Sequence, residues 1–528
     1  MKKQLFYLFL ILIILKIILS LFIQFPLGFS DSLTYQESAK AFWDTLSITK
    51  IAESKYPLLY PLIISPAFAF NDMNIVLFTI KIINSILSSL IIFPVYLLSK
   101  EFLNKKKSFL LATISAFIPP FFIFTFTSMS ENLFYPLFIF TIYALYKAFK
   151  SNEIKWNITA GASVGLCFLI KIMSIFIIPV IFVLILLNFK QFQEKTILLF
   201  TTLITISAWI IPRVINYGFN LYQILGYQAS LEKATSSTFF STKIIWFFLY
   251  IDYLILASGI VLFILAIALI LKYKKLNPQK KLLIQLTILS TFFLLILCAN
   301  HSGGFEKYTD YRTIGRYIEC LIPLYLLLGF IYLEKKDRLN KRILLLTSIF
   351  IITSSYFLLF DKFFPLNNSS LIHIGILKYG LDMLSINSIL IITVILALIL
   401  TSIFFLKKFN KIYSILLIYF IILTLANISI MFYDTQERWL PTEGAQLGQW
   451  INENLSPDST FLFDIQEKKE PLHKIEIDNR ERPTQIAAYW IRGEWTLDKN
   501  AEYDYIITNK DLENETIYQD SSIKIYKA

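Results

Sequence analysis

The sequence predicts an α-helical polytopic membrane protein of about thirteen transmembrane helices, with a small extracytoplasmic α/β domain at the C-terminal end. Hydrophobic residues make up 56% of the 528 residues and charged residues only 16%, whereas a soluble domain is nearer a quarter charged. Apolar runs recur along the chain as far as residue 433. The net charge of +12 is uneven, because residues 434–528 hold 11 basic and 19 acidic residues. We therefore expect a transmembrane domain at 1–433 and a soluble domain at 434–528.

The number of helices follows from the lengths of the apolar runs, since a helix needs about 20 residues to cross the hydrocarbon. The first run follows two lysines and lacks a small-residue cleavage site, which favours a retained helix over a signal peptide. The run 57–70 is short and contains three prolines, which favours an interfacial or re-entrant segment. The predicted spans are 5–24, 74–99, 108–127, 132–149, 157–171, 173–188, 197–212, 244–271, 282–299, 315–333, 343–360, 386–406 and 412–433.

The loops between these spans predict the orientation. The proposed cytoplasmic segments hold 24 Lys and Arg residues and the longer outer loops hold 12, as expected if basic residues stay inside. This predicts a multi-pass plasma-membrane protein with a cytoplasmic N-terminus, a first outer loop at 25–73 and an outer acidic tail. No basic run is interleaved with aromatic residues in the way a nucleic-acid groove requires, so we expect no nucleic-acid partner.

The tail pattern predicts a helix followed by strands. Leu447, Trp450, Ile451 and Leu455 share one helical face. We expect a lid or docking domain without its own chemistry, because the tail has no nucleotide loop or metal-ligand spacing. The predicted strands are Phe461–Ile465, Ile486–Trp490, Tyr505–Thr508 and Ile523–Tyr526.

Cysteine and histidine are too scarce to predict a metal centre. Each occurs three times, the cysteines lie in apolar runs and the histidines are far apart in sequence. We expect no cofactor; the pattern leaves room for a divalent cation without supporting one.

Several ionisable residues of the membrane half lie on the predicted outer face. Asp31 lies in the first outer loop, and Glu131 opens the fourth helix on the same side. Cations on this face oppose the positive-inside trend and need an anionic partner, for which a lipid phosphate is the natural candidate. They are Lys55, Lys171, Arg213, Arg312 and Arg316, with His301 beside them. A carboxylate beside a phosphate-binding cluster suits proton removal from an acceptor hydroxyl while a phosphate leaves a sugar.

Each of these residues also has a purely structural interpretation. Asp31 is a favoured helix N-cap type, and Glu131 suits the positive end of its helix dipole. Lys55 and Arg213 can extend to lipid headgroups. Arg316 and Glu319 are three residues apart and can pair on one helix. A single histidine such as His301 is more often a loop residue than a ligand, and Lys16 and Lys81 have no predicted role.

The pattern resembles the GT-C superfamily of membrane glycosyltransferases, in particular the family 39-like branch of protein O-mannosyltransferases and aminoarabinose transferases. The similar features are an acidic first-loop motif followed by Tyr, a Pro-Leu-Tyr segment, a second acidic residue, a Gly-Leu…Lys stretch, a Trp…Arg…Asn region and a late Arg-Tyr…Pro motif. In this chain they are Ser30–Tyr35, Lys55–Pro61, Met129–Phe134, Gly165–Lys171, Trp209–Asn216 and Gly315–Pro323.

Two positions depart from the family pattern. Ser32 stands where the mannosyltransferases often have a second acid, and Tyr56 stands where a first proline is expected. The tail also lacks the large β-rich insertion of the eukaryotic enzymes, and no Trp-Trp-Asp signature of oligosaccharyltransferases is present. These departures leave the sugar and the acceptor open.

The resemblance implies an inverting glycosyltransferase that moves one sugar from a polyprenyl- or dolichyl-phosphate donor to a hydroxyl of a lipid, glycan or protein acceptor. Asp31 would be the catalytic base and Glu131 would support it or orient substrates. The candidates for binding the donor phosphate would be Lys55, Arg213, Arg316 and His301. The residues predicted to line the substrates are Tyr35, Tyr56, Tyr60, Lys171 and Tyr317.

Two other classes of function compete with this one. A transporter or lipid flippase would place polar residues along a path through both leaflets, and Lys16, Lys81 and Asp252 keep that alternative open. A noncatalytic surface-assembly protein would use the tail to bind a partner. The transferase hypothesis expects the side chains of Asp31 and Arg316 to line one outer cavity that opens to lipid, and it fails if they face opposite sides of the bundle.

Overall fold

The computed structural model describes residues 2–25, 30–151, 153–226, 240–304, 312–334, 367–383, 412–465, 483–520 and 523–528, with a few single residues between them. Helices dominate up to residue 454, and a small sheet follows. The helices are α1 Lys2–Ser20, α2 Ser30–Thr45, α3 Ile48–Glu53, α4 Leu59–Ile64, α5 Met73–Ser89, α6 Ile92–Lys100, α7 Lys105–Ala116, α8 Pro119–Ile123, α9 Glu131–Ser151, α10 Ile154–Ile170, α11 Ile177–Leu187, α12 Phe192–Tyr217, α13 Leu221–Leu225, α14 Phe240–Ala257, α15 Val261–Leu271, α16 Pro278–Ser302, α17 Ile322–Glu334, α18 Ile372–Met383, α19 Ile412–Tyr433, α20 Glu443–Asn454 and α21 Pro483–Ala487.

Among the described residues, seven helices are long and apolar enough to cross a membrane, or eight if the bent pair α7 and α8 counts as one span. A membrane protein with many apolar helices is therefore confirmed, whereas the predicted number of thirteen is not. The predicted spans 343–360 and 386–406 lie almost entirely outside the described residues. The run 57–70 forms α4 and a 3-10 turn at Ser65–Ala69.

Prolines and a glycine account for the breaks in the helices. Pro119 and Pro120 follow the end of α7, and the chain bends there by 68°. The predicted span 244–271 is wrong as a single helix, because the structure divides it into α14 and α15. Gly259 has a positive φ of 71° at that break, a conformation that glycine adopts without a steric penalty.

Two buried lysines hold the first helix against its neighbours. Lys16 donates to the Ser88 hydroxyl at 2.7 Å and to the Phe121 carbonyl at 3.1 Å. Lys81 donates to the carbonyls of Ile23 at 2.5 Å and Gln24 at 3.1 Å, which follow α1. These contacts pair both lysines with main-chain carbonyls, and Lys16 also with a hydroxyl, which is a structural role that the sequence did not predict.

The tail contains one five-stranded sheet. Its strands are β1 Phe461–Asp464, β2 Trp495–Thr496, β3 Tyr505–Thr508, β4 Thr516–Asp520 and β5 Ile523–Lys527, in the order β2-β1-β3-β5-β4. β1 pairs in parallel with β2 and β3, and the pairs of β5 are antiparallel. Strands were predicted correctly at β1, β3 and β5, but Ile486–Trp490 is helical and β2 and β4 were missed.

The tail packs on the start of the membrane half. Arg492 pairs with both carboxylate oxygens of Asp44 on α2, at 3.0 and 2.6 Å. The Phe25 ring lies between Trp439 and Trp490, with ring centres 5.1 and 5.4 Å away. We call this set of contacts the tail interface. It places the tail beside the helix that carries Asp31.

Two glycines allow α10 and α12 to pack closely. A Cβ atom on Gly161 would lie 2.4 Å from the Leu198 carbonyl oxygen, and one on Gly165 would lie 2.4 Å from Cβ of Thr205. Small residues of this kind let membrane helices approach each other. We expect Gly161→Ala and Gly165→Ala each to lower the free energy of unfolding by about 1–3 kcal/mol through overpacking.

Thermal unfolding of the purified protein in detergent measures this effect. Gly375→Ala on α18 is the matched control, because a Cβ atom there meets nothing within 4 Å. Equal melting temperatures for all three variants would show that the α10–α12 contact is looser than described.

Candidate functional site

The structure brings Asp31 and Arg316 together although they are 285 residues apart in sequence. An Arg316 guanidinium nitrogen, Nη2, lies 2.9 Å from Oδ2 of Asp31. Arg316 is nearly buried, with 8% of its side chain exposed, whereas Asp31 keeps 22%. The two side chains therefore do not face opposite sides of the bundle, the arrangement that would have contradicted the transferase hypothesis.

Glu131 belongs to the same cluster. Its carboxylate is fully buried and lies 2.5 Å from Nζ of Lys171 and 3.5 Å from Nη1 of Arg316. Asp31, Glu131, Lys171 and Arg316 thus form one chain of alternating charges, which we call the ion-pair cluster. Two carboxylates and two cations balance one another, so the cluster is neutral when all four groups are charged.

All four residues of the cluster lie at or near the ends of helical elements. Asp31 is in the first turn of α2, and Glu131 is the first residue of α9. Lys171 ends α10 in an extended conformation, with φ of −151° and ψ of 114°. Arg316 is on a 3-10 turn, Gly315–Tyr317. The end of one bundle therefore collects charged groups from four distant parts of the chain.

Asp31 is held in its charged form. Tyr56 donates its hydroxyl to Oδ1 of Asp31 at 2.5 Å, while Arg316 binds Oδ2. Burial raises the pKa of the Asp31 carboxyl, but Arg316, Tyr56 and Lys171 together bring that pKa below its ordinary value. The carboxylate is therefore ionised at neutral pH and has one partner on each oxygen.

The predicted tyrosines near Asp31 form a packed wall. The Tyr35 ring lies 4.9 Å from the Tyr56 ring and 5.2 Å from the Tyr60 ring, between ring centres. The Tyr35 hydroxyl donates to Ser130 at 3.0 Å, next to Glu131. Both Tyr35 and Tyr60 are buried, so they support Tyr56 and the cluster from behind.

Tyr317 forms a second aromatic side of the cluster. Nζ of Lys171 lies 5.0 Å from the centre of its ring, and the Arg316 guanidinium carbon lies 5.3 Å from it. These are cation–π distances. His301 packs edge-on against Tyr317 with ring centres 5.5 Å apart, so the structure places it one residue away from the cations.

Lys55 lies against Tyr56, and Arg213 binds the segment that precedes Lys55. Nζ of Lys55 is 5.1 Å from the Tyr56 ring centre, and Lys55 is exposed. Arg213 donates to the carbonyls of Ala52 at 2.6 Å and Ser54 at 2.5 Å. These contacts favour a role for Arg213 in holding the loop that carries Lys55; direct phosphate binding by Arg213 stays a prediction.

Several groups that fix the cluster were missed by sequence reasoning. The Tyr135 hydroxyl donates to the main-chain carbonyl of Arg316 at 2.7 Å, and the amide of Arg316 donates to the Asn367 carbonyl at 2.9 Å. Gln36 on α2 donates to Ser128 at 2.7 Å, just before α9. Hydrogen bonds to main-chain groups leave no sequence motif. The sequence showed only that these polar residues lie within apolar runs.

Within the described residues, no group of three or more His, Cys, Asp and Glu side chains is arranged to hold a metal ion. That the protein needs no cofactor stays a prediction.

Residues 55–215 match the family of dolichyl-phosphate-mannose-protein mannosyltransferases. The matched segment contains Lys55, Glu131, Lys171 and Arg213. No curated protein matches the chain.

Two solved structures share the fold over the whole length of the chain. ArnT from Cupriavidus metallidurans bound to undecaprenyl phosphate has a TM-score of 0.60 at 12% identity, covering 100% of this chain and 98% of ArnT. The apo state of the same protein gives 0.55 at 10% identity, covering 99% and 98%. These two likenesses show that the chain has the fold of ArnT, and the partial family match agrees with the resemblance stated from the sequence. An archaeal oligosaccharyltransferase, AglB from Archaeoglobus fulgidus, gives only 0.38 at 11% identity over 95% of this chain and 69% of AglB, and that score supports no argument.

Motifs that carry the GT-C resemblance lie at the ion-pair cluster. Motifs quoted for the resemblance contribute all four residues of the cluster. The comparisons therefore show a partial match to the mannosyltransferase family and the fold of ArnT over the whole chain.

Proposed function

We propose that the protein transfers a single sugar from a polyprenyl- or dolichyl-phosphate donor to a hydroxyl of a lipid, glycan or protein acceptor on the outer face of the membrane, with inversion at the sugar carbon. The observation that carries the proposal is the 2.9 Å contact between Asp31 and Arg316 within the ion-pair cluster. The match of residues 55–215 to a family named for a dolichyl-phosphate sugar donor supports the class of donor, as does the lipid phosphate bound to ArnT.

In this proposal the donor phosphate binds the cations that now bind carboxylates. The ion-pair cluster is neutral, so an incoming phosphate must take hydrogen bonds from Arg316 that Asp31 now accepts. Exposed Lys55, beside Tyr56, adds positive charge that the cluster lacks. Arg316 suits this exchange because guanidinium binds phosphate and carboxylate with similar paired hydrogen bonds.

When the Arg316 guanidinium leaves Asp31 to bind the donor phosphate, the Asp31 carboxylate becomes a stronger base. The pKa of Asp31 is low while Arg316 pairs with it, and a weak base removes protons poorly. When phosphate occupies the guanidinium, the pKa of Asp31 rises towards that of a better base. Binding of the donor and readiness for proton removal are thereby coupled.

The chemical step needs no covalent intermediate. Asp31 takes the proton from the acceptor hydroxyl, whose oxygen forms the new bond to the sugar carbon as the bond from that carbon to the phosphate oxygen breaks. The electron pair of the broken bond stays on the lipid phosphate, where Arg316 and Lys171 stabilise the added charge. Glu131, fully buried between those cations, keeps both of them in place.

Transfer of label tests the proposal. Membranes or proteoliposomes containing the full chain are supplied with radiolabelled polyprenyl-phosphate sugars and with lipid, glycan and peptide acceptors bearing hydroxyls. We expect label in an acceptor, joined through a glycosidic bond. Movement of the donor across vesicles without any such product would instead favour a flippase.

The pH dependence of transfer reports on Tyr56. Loss of the Tyr56 hydroxyl removes a hydrogen bond that lowers the pKa of Asp31, so Tyr56→Phe raises that pKa. Because the reaction needs ionised Asp31, activity is lost as pH falls through its pKa. We therefore expect the acid limb of the Tyr56→Phe profile at higher pH than in the wild type, with little change on the alkaline side. The control is Tyr518→Phe in the tail, whose pH profile should match that of the wild type. Tyr489→Phe is unsuitable as a control because Tyr489 also lies near Asp31.

If the acid limb of Tyr56→Phe coincides with that of the wild type, Asp31 is not the group whose ionisation limits the reaction.

A further inference from the structure

Glu319 is a buried carboxylate that the proposed reaction does not use. Its side chain has no exposed surface. The sequence allowed it to pair with Arg316, but the structure directs it elsewhere: its Oε1 accepts hydrogen bonds from the Tyr253 hydroxyl at 2.7 Å and from the Ser370 amide at 3.2 Å. A carboxylate buried at this position requires a structural or functional explanation.

The hydrogen bonds of Glu319 join three distant parts of the chain. Glu319 begins the 3-10 turn Glu319–Leu321, Tyr253 lies on α14, and Ser370 lies in the 3-10 turn Ser369–Leu371. Asn427 on α19 adds a fourth part, since its side-chain amide donates to the Ser369 carbonyl at 2.9 Å. One carboxylate thus lies where four elements meet.

The same elements hold the main chain around Arg316. The amide of Arg316 donates to the Asn367 carbonyl at 2.9 Å, and the amide of Gly315 donates to Oδ1 of Asn368 at 3.2 Å. The segment 367–370 therefore binds Glu319 at one end and the turn of Arg316 at the other. A shift of this segment would move Arg316.

Tyr253 links Glu319 to this turn directly. A Cβ atom on Gly315 would lie 2.0 Å from the Tyr253 hydroxyl oxygen, so the phenol packs against the main chain of the residue before Arg316. The hydroxyl of the same ring donates to Glu319. Glu319 therefore fixes the ring that supports the Arg316 turn.

We infer that Glu319 is a positioning residue: through Tyr253 and the 367–370 segment it sets the place of the Arg316 turn, and so holds the guanidinium on Asp31 and Glu131. A long side chain such as Arg316 makes contacts of 2.9 and 3.5 Å to two carboxylates only if its main chain is fixed. The effect on Arg316 is independent of the reaction, whereas its consequence for catalysis rests on the proposed function.

The position of Arg316 can be measured without any substrate. A carbodiimide modifies protonated carboxyls, and Asp31 is kept ionised by Arg316, Tyr56 and Lys171 around it. In the full-length protein in detergent, the modified fraction of Asp31 at pH 6 is determined by mass spectrometry of its peptide. Displacement of Arg316 by enough to raise the pKa of Asp31 by about one unit increases the protonated fraction about tenfold.

We expect about a tenfold increase in Glu319→Ala and a smaller one in Tyr253→Phe. Glu319→Gln keeps an acceptor for Tyr253 and Ser370, so its labelling should stay within about twofold of the wild type. The control is Tyr325→Phe, which removes another buried tyrosine hydrogen bond, 3.0 Å to Thr291, between α17 and α16. Its labelling of Asp31 should equal that of the wild type.

Unchanged labelling in Glu319→Ala would overturn the inference, as would an equal increase in Tyr325→Phe, which would indicate general loosening. If Glu319→Ala fails to fold, Tyr253→Phe decides in the same way. When a transfer assay is available, Glu319→Ala should raise KM for the donor more than it lowers kcat, and should add nothing in an Arg316→Met background. Labelling that behaves as expected in a protein without transfer activity would uphold the positioning role and contradict the proposed function alone.

Discussion

Asp31→Asn is expected to lower the rate of sugar transfer by about 10²–10⁴-fold, the usual contribution of a general base. The substitution keeps the size of the side chain and an oxygen that can accept from Tyr56 or Arg316, so the fold should survive. It removes the group that takes the acceptor proton. The loss should appear in kcat, measured as label transferred at saturating donor.

The control for this variant is Asp511→Asn in the tail, the same substitution at a side chain that is 87% exposed. Its transfer rate should match the wild type. Full activity in Asp31→Asn would mean that another group is the base, and Glu131 would be the next residue to test because it is the other carboxylate of the ion-pair cluster.

Arg316→Met should weaken donor binding by roughly 10- to 150-fold, because a hydrogen bond to a charged group contributes about 1.5–3 kcal/mol. The effect should appear as a higher KM for the lipid-phosphate donor. Arg316→Lys keeps the charge but not the paired geometry, so its KM should fall between those of Arg316→Met and the wild type.

Arg438→Met is the matched control for Arg316→Met. Arg438 is 42% exposed and pairs with Asp434 one helical turn away, so its loss should change neither KM nor the amount of folded protein. A donor KM that is unchanged in Arg316→Met would place the phosphate elsewhere, and Lys55 and Arg213 would then be the cations to replace.

Sequence periodicity and length predicted that many apolar helices are present, because membrane spans are long and uniformly apolar, but the predicted number of thirteen is not confirmed and the predicted span 244–271 is divided. Short elements were harder. Ile486–Trp490 has a strand-like composition, yet Pro483 begins a helix at Pro483–Ala487 that continues as a 3-10 turn through Trp490. Thr516–Asp520 was missed because it has only two apolar residues, which are adjacent and do not alternate with polar ones, and it lies at a sheet edge. Local composition does not determine whether such short segments form a helix or a strand, because the packing against tertiary neighbours determines it.

The charged residues of the candidate site could be selected from the sequence, but their geometry could not. Charged residues near the ends of apolar runs identified Asp31, Glu131, Lys171 and Arg316, because ionisable groups are costly in lipid. Their separation along the chain gave no distances. The partners of Glu319 could not be found at all, since nothing in the sequence relates it to residues that are far away.

The most direct test of whether the ion-pair cluster transfers sugar compares the wild type with Asp31→Asn. Both are placed in proteoliposomes with a labelled polyprenyl-phosphate sugar and a hydroxyl acceptor, and the labelled glycoside is measured. The proposal predicts a labelled glycoside from the wild type and about a hundredth of that amount or less from Asp31→Asn at equal protein. Equal amounts of glycoside from both proteins would contradict it.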